Sequence, residues 1–562
     1  MNLIGNINAI PFRRFRGGGG VAPIPPFPSI PGMIARYSAL GLTNEQMAEN
    51  PVWKDLTGNG HDLQMKNFAW KGMSGVGGYT ESYDSNRWYK VASRIDTTWT
   101  YKSFNVKSIK DNNLAQLFYQ SLSSDTGFRV LSCTIKVSGL TDGQGIEYVS
   151  NGTRPTVIMR IENDGIYHLP SFDFGAKNAY YGFRFLKLQE SCNITIEQLP
   201  LYPGALVFDG VDDYGTCDNF PILTKEKGYT VVALRQWITR GEIAQGLVSN
   251  VKNWLKDGAF LLEYRNIQSD HLNKPISFGA IGSEMDLPHI LTYQTSKSYN
   301  GVSITTGNFE GTDVLHVGKL APTNVETCIN AAIWELVFLD HDATEEELTK
   351  IKDYFVKTYP WLFPDQAWTV VGKTNEDKDR ATIANITGNG NDLVLSNFGF
   401  IEGSGYNEEG EHAGYLVTDG VDDKVQSSSF TMNEDWTIVG DWELLSNVQI
   451  NCGIVKAQNV YLYNTANGLL ISINNPRSLQ SFGTKSLHAI CSDGRLYDRN
   501  WVEYEYTVDQ NFEIVKSSLN IGFNLNNYTQ IAFKNLGIYN DQLLSKDDCI
   551  KAYNYLQTLK AK

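Results

Sequence analysis

The chain has 562 residues, of which 42% are hydrophobic and 20% charged, with 50 glycines, 29 tyrosines and 26 phenylalanines. This length allows roughly three or four domains, and the composition is typical of β-rich globular chains, which excludes a disordered protein. The net charge of −14, with no long basic block, argues against nucleic acid as a partner, and the lack of an apolar run of about 18 residues argues against a membrane span.

The cysteines and histidines do not form a metal-binding pattern. The seven cysteines lie far apart and include no Cys-x-x-Cys pair, and the eight histidines show no His-Glu-x-x-His spacing. These patterns argue against a disulfide framework and against a zinc site. We therefore expect reduced cysteines in the core and no cofactor, with calcium as the one exception to consider.

Residues 1–32 differ in composition from the rest of the chain. The segment Arg13, Arg14, Phe15 and Arg16 precedes four glycines and a proline-rich stretch, which predicts a flexible joint followed by a stiff spacer. One interpretation is a disordered leader. The interpretation we favour is an N-terminal docking arm, whose basic and aromatic residues contact an acidic surface of a partner. The first ten residues lack the pattern of a secretion signal, so we expect none.

Two segments of the chain recur. Thr57–Phe68 matches Thr387–Phe398 at eight of twelve positions, and Leu206–Gly215 returns little changed as Leu416–Val425. The first pair lies 330 residues apart and the second pair 210, so the first copy contains 120 residues that the second lacks. The simplest account is a duplicated module with a domain inserted into the first copy.

These offsets define four parts of the chain. The insertion, residues 80–201, has its own alternating runs and is long enough to form a small β-sandwich. We expect residues 33–79 plus 202–362 to form the first module and residues 366–562 the second. Both modules contain β-branched and aromatic runs that are typical of strands.

Each module ends in a segment that predicts a short helix. Thr344 and Ser545 are N-cap residues, and each is followed three positions later by an acid. In the first segment Leu348, Ile351 and Phe355 recur at helical spacing and form one apolar stripe. Such a helix must pack on a larger surface, which we expect to be a sheet.

The order of the Asp-Gly-Val-Asp-Asp motif, a strand run and a capped terminal helix, present twice, resembles the laminin G-like and concanavalin A-like jelly-roll family. The resemblance implies an all-β fold: two concanavalin A-like jelly-roll sandwiches, the first interrupted by the inserted β-sandwich, each closed by a short C-terminal helix. It implies little about activity, because the family includes lectins, adhesion modules and glycosidases.

The proline- and glycine-rich leader joined to repeated jelly rolls also resembles virion fibre proteins of tailed bacteriophages that infect Bacteroidales, the crAss-like group among them. This resemblance implies a non-enzymatic head fibre or decoration subunit, made in the host cytoplasm and placed on the virion surface. Its arm would dock on the capsid or another virion protein, and its jelly rolls would display a surface that binds host or environmental glycans. We expect a homodimer or homotrimer, which the sequence does not distinguish.

The alternative is a bacterial carbohydrate-binding or glycoside-degrading protein of the same superfamily. Glycoside hydrolysis needs two carboxylates across the scissile bond. The segment from Glu284 to His289 approaches the family's catalytic strand pattern but lacks the second glutamate and contains a proline. We therefore expect no catalytic residue.

Two further groups of side chains are candidates for binding. The acidic motif can offer oxygen ligands to calcium, or it can be a polar turn in which aspartate and glycine satisfy backbone groups. Its members are Asp209, Asp212, Asp213, Asp419, Asp422 and Asp423. Aromatic side chains in the middle of each module can stack on sugar rings, although most aromatic residues belong to cores. These are Trp254, Tyr264, Tyr461 and Tyr463, and the ligand-binding residues stay open.

Overall fold

The computed structural model consists almost entirely of antiparallel strands. The structure describes residues 25–80, 83–84, 88–91, 95–108, 116–122, 128–151, 155–174, 179–224, 226–239, 245–258, 261–265, 290–303, 310–320, 328–408, 412–445, 452–457, 460–465, 468–473, 480–482, 487–505, 516–521, 523–524 and 527–561. Among these residues, no helix has the length and apolar character needed to span a membrane.

The first jelly roll opens with four short strands and a helix: β1 (Met33–Ser38), α1 (Asn44–Glu49), β2 (Val52–Trp53), β3 (Leu63–Lys66) and β4 (Gly75–Val76). Helix α1 was not predicted from the sequence. The Thr43 hydroxyl accepts a hydrogen bond from the Gln46 amide, and the Gln46 side chain accepts one from the Thr43 amide. This capping box satisfies two backbone donors at the start of the helix.

The inserted segment forms a sandwich with its own core. Two five-stranded sheets face each other across buried side chains that include Ile135, Ile146, Phe183 and Ile196. We call this body the inserted sandwich. Its strands are β5 (Trp88–Val91), β6 (Ile95–Trp99), β7 (Ser103–Ser108), β8 (Gln116–Leu122), β9 (Phe128–Val130), β10 (Cys133–Ser138), β11 (Gly145–Asn151), β12 (Pro155–Ile161), β13 (Gly165–Leu169), β14 (Phe172–Phe174), β15 (Ala179–Leu186) and β16 (Asn193–Gln198).

From edge to edge, the two sheets of the inserted sandwich have the strand orders β13-β10-β16-β7-β6 and β12-β11-β15-β8-β5, and β14 and β9 pair separately. Alternate residues of β10 point to opposite sides, as in any strand. Cys133, Ile135 and Val137 therefore enter the core of the inserted sandwich. Thr134, between them, faces outward.

The first jelly roll resumes after the insertion and is completed by ten strands. They are β17 (Leu206–Asp209), β18 (Tyr214–Cys217), β19 (Thr230–Trp237), β20 (Gln245–Gly258), β21 (Leu261–Arg265), β22 (Leu291–Thr295), β23 (Ser298–Tyr299), β24 (Val302–Ser303), β25 (Glu310–Val317) and β26 (Asn330–Leu339). One sheet has the order β24-β23-β22-β19-β26-β17-β4, with β1 also paired to β26, and the other β2-β3-β18-β25-β20-β21.

The second jelly roll follows helix α2 (Glu345–Thr358) and a 3₁₀ helix (Pro360–Leu362). Its elements are β27 (Gln366–Thr369), β28 (Thr382–Ile383), β29 (Leu393–Ser396), β30 (Gly405–Tyr406), β31 (Leu416–Val417), β32 (Lys424–Thr431), β33 (Trp436–Leu444), β34 (Cys452–Ala457), β35 (Val460–Thr465), β36 (Gly468–Ile473), β37 (Gln480–Phe482), β38 (Leu487–Cys491), β39 (Arg495–Asp498), β40 (Glu503–Glu505), β41 (Lys516–Ile521), β42 (Phe523–Asn524), β43 (Asn527–Tyr528), β44 (Ile531–Asn540) and α3 (Lys546–Gln557).

The two jelly rolls share one strand order. In the second, one sheet runs β40-β39-β38-β33-β44-β31-β30, with β27 paired to β44, and the other β28-β29-β32-β41-β34-β35-β36-β37. The central run β22-β19-β26-β17-β4 of the first jelly roll thus corresponds to β38-β33-β44-β31-β30 of the second. The duplication and the all-β jelly-roll class predicted from the sequence are confirmed.

Both terminal helices lie where the sequence predicts them. The Thr344 hydroxyl accepts from the Glu347 amide, and the Ser545 hydroxyl accepts from the Asp548 amide over 3.1 Å. In α2 the residues Ile351 and Phe355 are buried and form the apolar stripe. Caps and stripe together fix where each helix starts and which face it buries.

The central strands are buried on both faces. In β26, Ile333 and Phe338 belong to the jelly-roll core, whereas Trp334 and Val337 contact a second cluster on the opposite face. Side chains of α2, the 3₁₀ helix and α3 form much of that cluster. We call the cluster the central layer. The central layer also receives residues of the second jelly roll, among them Val439. A strand buried on both faces explains why the sequence there is an apolar run that only Glu335 interrupts between Ala331 and Leu339.

Candidate functional site

The acidic motif lies at the turn that joins two strands belonging to opposite sheets. In the first jelly roll, Asp209 ends β17 and Asp212 and Asp213 precede β18. One carboxylate oxygen from each of the three lies within 4.8 Å of the others, and Asp419, Asp422 and Asp423 repeat the arrangement. We call the two segments acid loop 1 (Asp209–Asp213) and acid loop 2 (Asp419–Asp423).

Asp213 is the buried member of acid loop 1, and both of its carboxylate oxygens are already hydrogen-bonded. Oδ2 accepts from the Asp209 amide over 3.0 Å, and Oδ1 accepts from the Ser74 hydroxyl over 3.0 Å. The first bond closes the turn on itself. The second joins the turn to the loop that follows β3.

Acid loop 2 has the same bonds. Asp423 Oδ2 accepts from the Asp419 amide over 2.8 Å, and Asp423 Oδ1 accepts from the Ser404 hydroxyl over 3.1 Å. Ser74 and Ser404 were not singled out from the sequence. A further match between the copies, Ser74-Gly75 against Ser404-Gly405, carried the signal that would have identified them.

Burial changes the protonation of the two buried acids. It raises the pKa of Asp213 to about 7, and the nearby Asp209 carboxylate adds to this effect, while the hydrogen bonds to Asp213 oppose it. Burial likewise raises the pKa of Asp423 to about 6. A carboxyl that is partly protonated near neutral pH is a weaker ligand for a cation than an ionised one.

The other acids of the loops also serve the backbone. Asp209 Oδ1 accepts from the Val211 amide over 2.8 Å, which is the bond of an Asx turn. The Asp212 carbonyl accepts from the Asn67 side chain over 3.0 Å, and the Asp422 carbonyl accepts from Asn397 over the same distance. Each acid loop is therefore tied to the neighbouring loop at two points.

Calcium in proteins is bound by about six to eight oxygen atoms. In each acid loop both oxygens of the buried carboxylate already accept a hydrogen bond, one from a backbone amide and one from a serine hydroxyl, and its pKa is raised. The remaining oxygens suit a polar turn better than a calcium cage. The calcium expectation stays a prediction, and the geometry favours the turn.

Several other sequence candidates lie outside the residues that the structure describes. These candidates are Glu284 and the arm residues Arg13, Arg14, Phe15 and Arg16. The aromatic candidates belong to described strands, but their side chains fall outside the described part: Trp254, Tyr264, Tyr461 and Tyr463. Their proposed roles stay predictions.

The end of the leader is attached to the body of the protein. Ile30 is 5% exposed and joins the cluster of the central layer. The Phe27 ring packs edge-on against Tyr354 of α2 at 4.7 Å between centroids, and the Arg36 guanidinium lies 4.2 Å from the Phe27 ring centroid. Phe27 and Ile30 therefore attach the end of the leader to the body beside α2.

Helix α3 contacts all three sandwiches. Its Asn554 carboxamide oxygen accepts from the Thr134 hydroxyl of the inserted sandwich over 2.7 Å. Thr558, just after the helix, accepts from Gln236 of the first jelly roll over 3.0 Å. Gln557 donates to Asp441 of its own sheet over 2.9 Å. The sequence predicted that α3 packs on a sheet, but nothing in it indicated contacts with the other two bodies.

Two histidines flank Tyr553 of α3. The His168 ring of the inserted sandwich lies 5.6 Å from the Tyr553 ring and the His488 ring of the second jelly roll lies 4.3 Å from it, between centroids. We call the set Thr134, His168, His488, Tyr553 and Asn554 the α3 junction. It is the place where buried titratable groups from different bodies meet.

The geometry defines the class: the chain is an all-β protein of two jelly rolls and an inserted sandwich, consistent with a concanavalin A-like fold. No protein-family model and no curated protein matches it. Solved structures with some likeness include Trypanosoma rangeli sialidase in complex with sialic acid, at 9% identity over 84% of this chain and 85% of that one, with a TM-score of 0.25.

A second complex of the sialidase from Trypanosoma rangeli aligns over only 48% of each chain, so this chain spans about half of that protein there, at 11% identity and a TM-score of 0.23. The tandem CBM22 domains of Xyn10C from Paenibacillus barcinonensis align over 49% of this chain and 99% of theirs, at 7% identity and a TM-score of 0.14. Scores this low carry no inference about function.

Proposed function

We propose that the chain is a non-catalytic virion structural protein, a head fibre or decoration subunit of a tailed bacteriophage. Its N-terminal arm docks on the capsid or on another virion protein, and its jelly rolls are displayed on the virion surface. The observation that carries the proposal is the central layer, which joins three sandwiches into one body and holds the end of the leader at one place on it.

The central layer suits a display protein because it fixes the sandwiches relative to one another. Apolar side chains from α2, α3 and both jelly rolls fill it, including Trp334, Phe355 and Tyr539. Burying a large side chain of this kind contributes roughly 1.5–3 kcal/mol.

The site at which the leader joins supports the arm hypothesis. Phe27 and Ile30 anchor the proline-rich spacer beside α2, so a partner that holds Arg13, Arg14, Phe15 and Arg16 would hold the body at a defined place. The arm carries basic residues whereas the chain as a whole has a net charge of −14. This contrast favours a partner with an acidic surface.

In this proposal the displayed jelly rolls bind host or environmental glycans. The acid loops brace the turns of each sandwich rather than forming a pair of carboxylates across a bond, as hydrolysis requires. Weak contacts to a repeated glycan gain from multiplicity, which is why a homodimer or homotrimer belongs to the proposal.

The test is mass spectrometry of purified phage particles carrying this chain or a variant. Phe27 and Ile30 pack on the body, so the informative deletion removes residues 1–24 and leaves them in place. We expect the full chain in particles, the deletion variant folded but absent from particles, and the R13A/R14A/R16A variant depleted. A substitution in the glycine joint, G18A, is the matched control and should be incorporated normally.

Two results would overturn the proposal. The first is a chain that is absent from purified particles but present in uninfected cells. The second is normal incorporation of the variant that lacks residues 1–24, which would remove the docking role of the arm. Hydrolysis of a polysaccharide by the purified chain would instead favour the glycoside-degrading alternative.

A further inference from the structure

The α3 junction contains a histidine whose second ring nitrogen has no partner. The Thr134 hydroxyl donates its proton to Asn554 over 2.7 Å, so its oxygen is free to accept from His168 Nδ1, which lies 3.2 Å away. His168 is thereby held as the tautomer with the proton on Nδ1. Its Nε2 is buried and, among the described residues, has no hydrogen-bond partner.

His488, on the other side of Tyr553, is also held neutral. Its Nδ1 donates to the Gly440 carbonyl over 3.2 Å, and its ring packs against Tyr553 and, at 5.5 Å, against Trp501. Protonating either histidine would place a charge between aromatic rings and remove it from water. Such a charge is costly unless a counter-ion is available.

The charged groups that face the junction already balance. Asp441 on β33 and Lys534 on β44 act on His168, and Asp498 and Arg499 act on His488 together with Asp441. Burial acts to raise the pKa of Asp441, but the charge of Lys534 and the hydrogen bond from Gln557 oppose it, and the pKa is lowered. Two acids and two bases leave no spare negative charge for an additional proton.

We propose that the α3 junction is an acid-sensitive contact, in which protonation of His168, assisted by His488, releases the inserted sandwich from α3. The release breaks the Thr134 to Asn554 hydrogen bond and separates the His168 ring from Tyr553. The remaining elements of α3 stay packed on the second jelly roll through residues such as Leu556. This acid-sensitive contact does not depend on which partner or glycan the chain binds.

The direction of the effect follows from the pKa of His168. Burial, with a contribution from Lys534, lowers it from 6.5 to about 3 in the packed state, whereas the released ring faces water and regains the ordinary value. The packed contact is therefore fully stable above about pH 6.5 and weakens as the pH falls. When the pH falls from 7.5 to 4.5, the protonation of His168 alone increases the equilibrium constant for release by about 100-fold.

The two aspartates whose pKa is raised respond to acid in the opposite direction from His168. Asp213, with a pKa of about 7, and Asp423, with a pKa of about 6, hold their protons more tightly in the folded state, so acid stabilises their surroundings. Acid-driven opening must therefore come from groups whose pKa is lowered in the packed state. Among the described residues at this contact, His168, His488 and Asp441 meet this condition, and the ordinary pKa of the two histidines lies above pH 4.5 whereas that of Asp441 lies below it.

Hydroxyl-radical footprinting of the full chain by mass spectrometry provides the test. Tyr553 is 1% exposed and loses its His168 neighbour on release, whereas Trp53, 1% exposed in the first jelly-roll core, is unaffected by release. We expect oxidation of Tyr553 to rise at least tenfold from pH 7.5 to 4.5, with Trp53 still protected. The H168Q variant should lose most of this rise, and H61Q, remote from the junction, should retain it.

An unchanged oxidation of Tyr553 at pH 4.5 in the unmodified chain would overturn the proposal. A parallel rise at Trp53 would also overturn it, because it would show general unfolding. If H168Q already exposes Tyr553 at pH 7.5, the test uses H168F instead, because phenylalanine keeps an aromatic ring that cannot be protonated. A rise in Tyr553 oxidation at pH 4.5 that persists in H168F would count against the proposal.

Discussion

The Ser74 hydroxyl donates a hydrogen bond of 3.0 Å to the Asp213 carboxylate, which joins the turn between the two sheets to the loop after β3. The second jelly roll repeats the bond between Ser404 and Asp423 at 3.1 Å. The motif that most resembles a metal site is thus used, in both copies, to hold two loops of the sandwich together.

Replacing the buried acid should destabilise the sandwich that contains it. In D213A the Asp209 amide and the Ser74 hydroxyl both lose their acceptor in a buried place, and we expect a loss of about 2–4 kcal/mol in the free energy of unfolding. D423A should do the same in the second jelly roll. Urea unfolding followed by circular dichroism measures both.

The matched control uses the exposed acid of the same loop. Asp422 contributes its backbone rather than its side chain to the bonds of acid loop 2, so D422A should change the free energy of unfolding by no more than about 0.5 kcal/mol. If D422A and D423A lowered the free energy of unfolding equally, the Asp423 side chain would not be what holds the two loops together.

The stability of the first jelly roll should depend on pH through Asp213. Its folded-state pKa of about 7 lies above the unfolded value of 3.8, so the folded state binds the proton more tightly between these values. The stabilisation that comes from the proton on Asp213 is present in full below the unfolded-state pKa of 3.8 and is lost as the pH rises through 7. From pH 5.5 to 8.5 we expect a loss of about 2 kcal/mol.

The D213N variant isolates this effect, because an amide does not titrate. Thermal unfolding of both proteins at several pH values should show that the difference between them narrows or reverses as the pH rises. A difference that stays constant from pH 5.5 to 8.5 would show that Asp213 does not titrate in this range.

Calcium should have little effect on the protein. A cation at acid loop 1 would compete with the Ser74 hydroxyl and the Asp209 amide for the Asp213 carboxyl, which is partly protonated near neutral pH. We expect no shift of the unfolding temperature above about 1 °C with millimolar calcium, because binding to the native state alone would raise it. Isothermal titration that detects two bound ions per chain would contradict this and restore the calcium hypothesis.

The sequence predicted the fold as far as local and repeated signals reach. The recurrence of Thr57–Phe68 and Leu206–Gly215 indicated the duplication and the insertion, and the caps at Thr344 and Ser545 indicated α2 and α3. Helix α1 was missed, although Thr43 and Gln46 form a capping box. Six residues without an apolar stripe are too short for periodicity to detect.

Contacts between distant bodies left no local pattern to read. Thr134 and Asn554 are 420 positions apart and are ordinary polar residues on a strand and a helix. Likewise Phe27 looked like part of a spacer, because the pattern of prolines around it carries no information on the Tyr354 and Arg36 side chains that it contacts. Such pairs become visible only when the sheets and helices are assembled.

Removing the buried ion pair beneath the leader should both destabilise the first jelly roll and loosen the leader. Glu335, whose side chain is fully buried, accepts from Arg36 Nε over 3.0 Å and from the Tyr359 hydroxyl over 2.9 Å. Burial raises its pKa, and Arg36 opposes this. In R36M the carboxylate loses its counter-charge, and we expect a loss of about 3–5 kcal/mol.

Because the Arg36 guanidinium also lies on the Phe27 ring, R36M should speed proteolytic cleavage between residues 25 and 32. The double variant R36M/E335Q, which removes both charges, should recover part of the stability but leave the leader loose. The surface pair of Lys54 and Asp62 is the control: Lys54 is 62% exposed, so K54A should cost no more than about 1 kcal/mol. If R36M were as stable as K54A, Glu335 would have to be neutral in the folded variant, and the ion pair would not stabilise the first jelly roll.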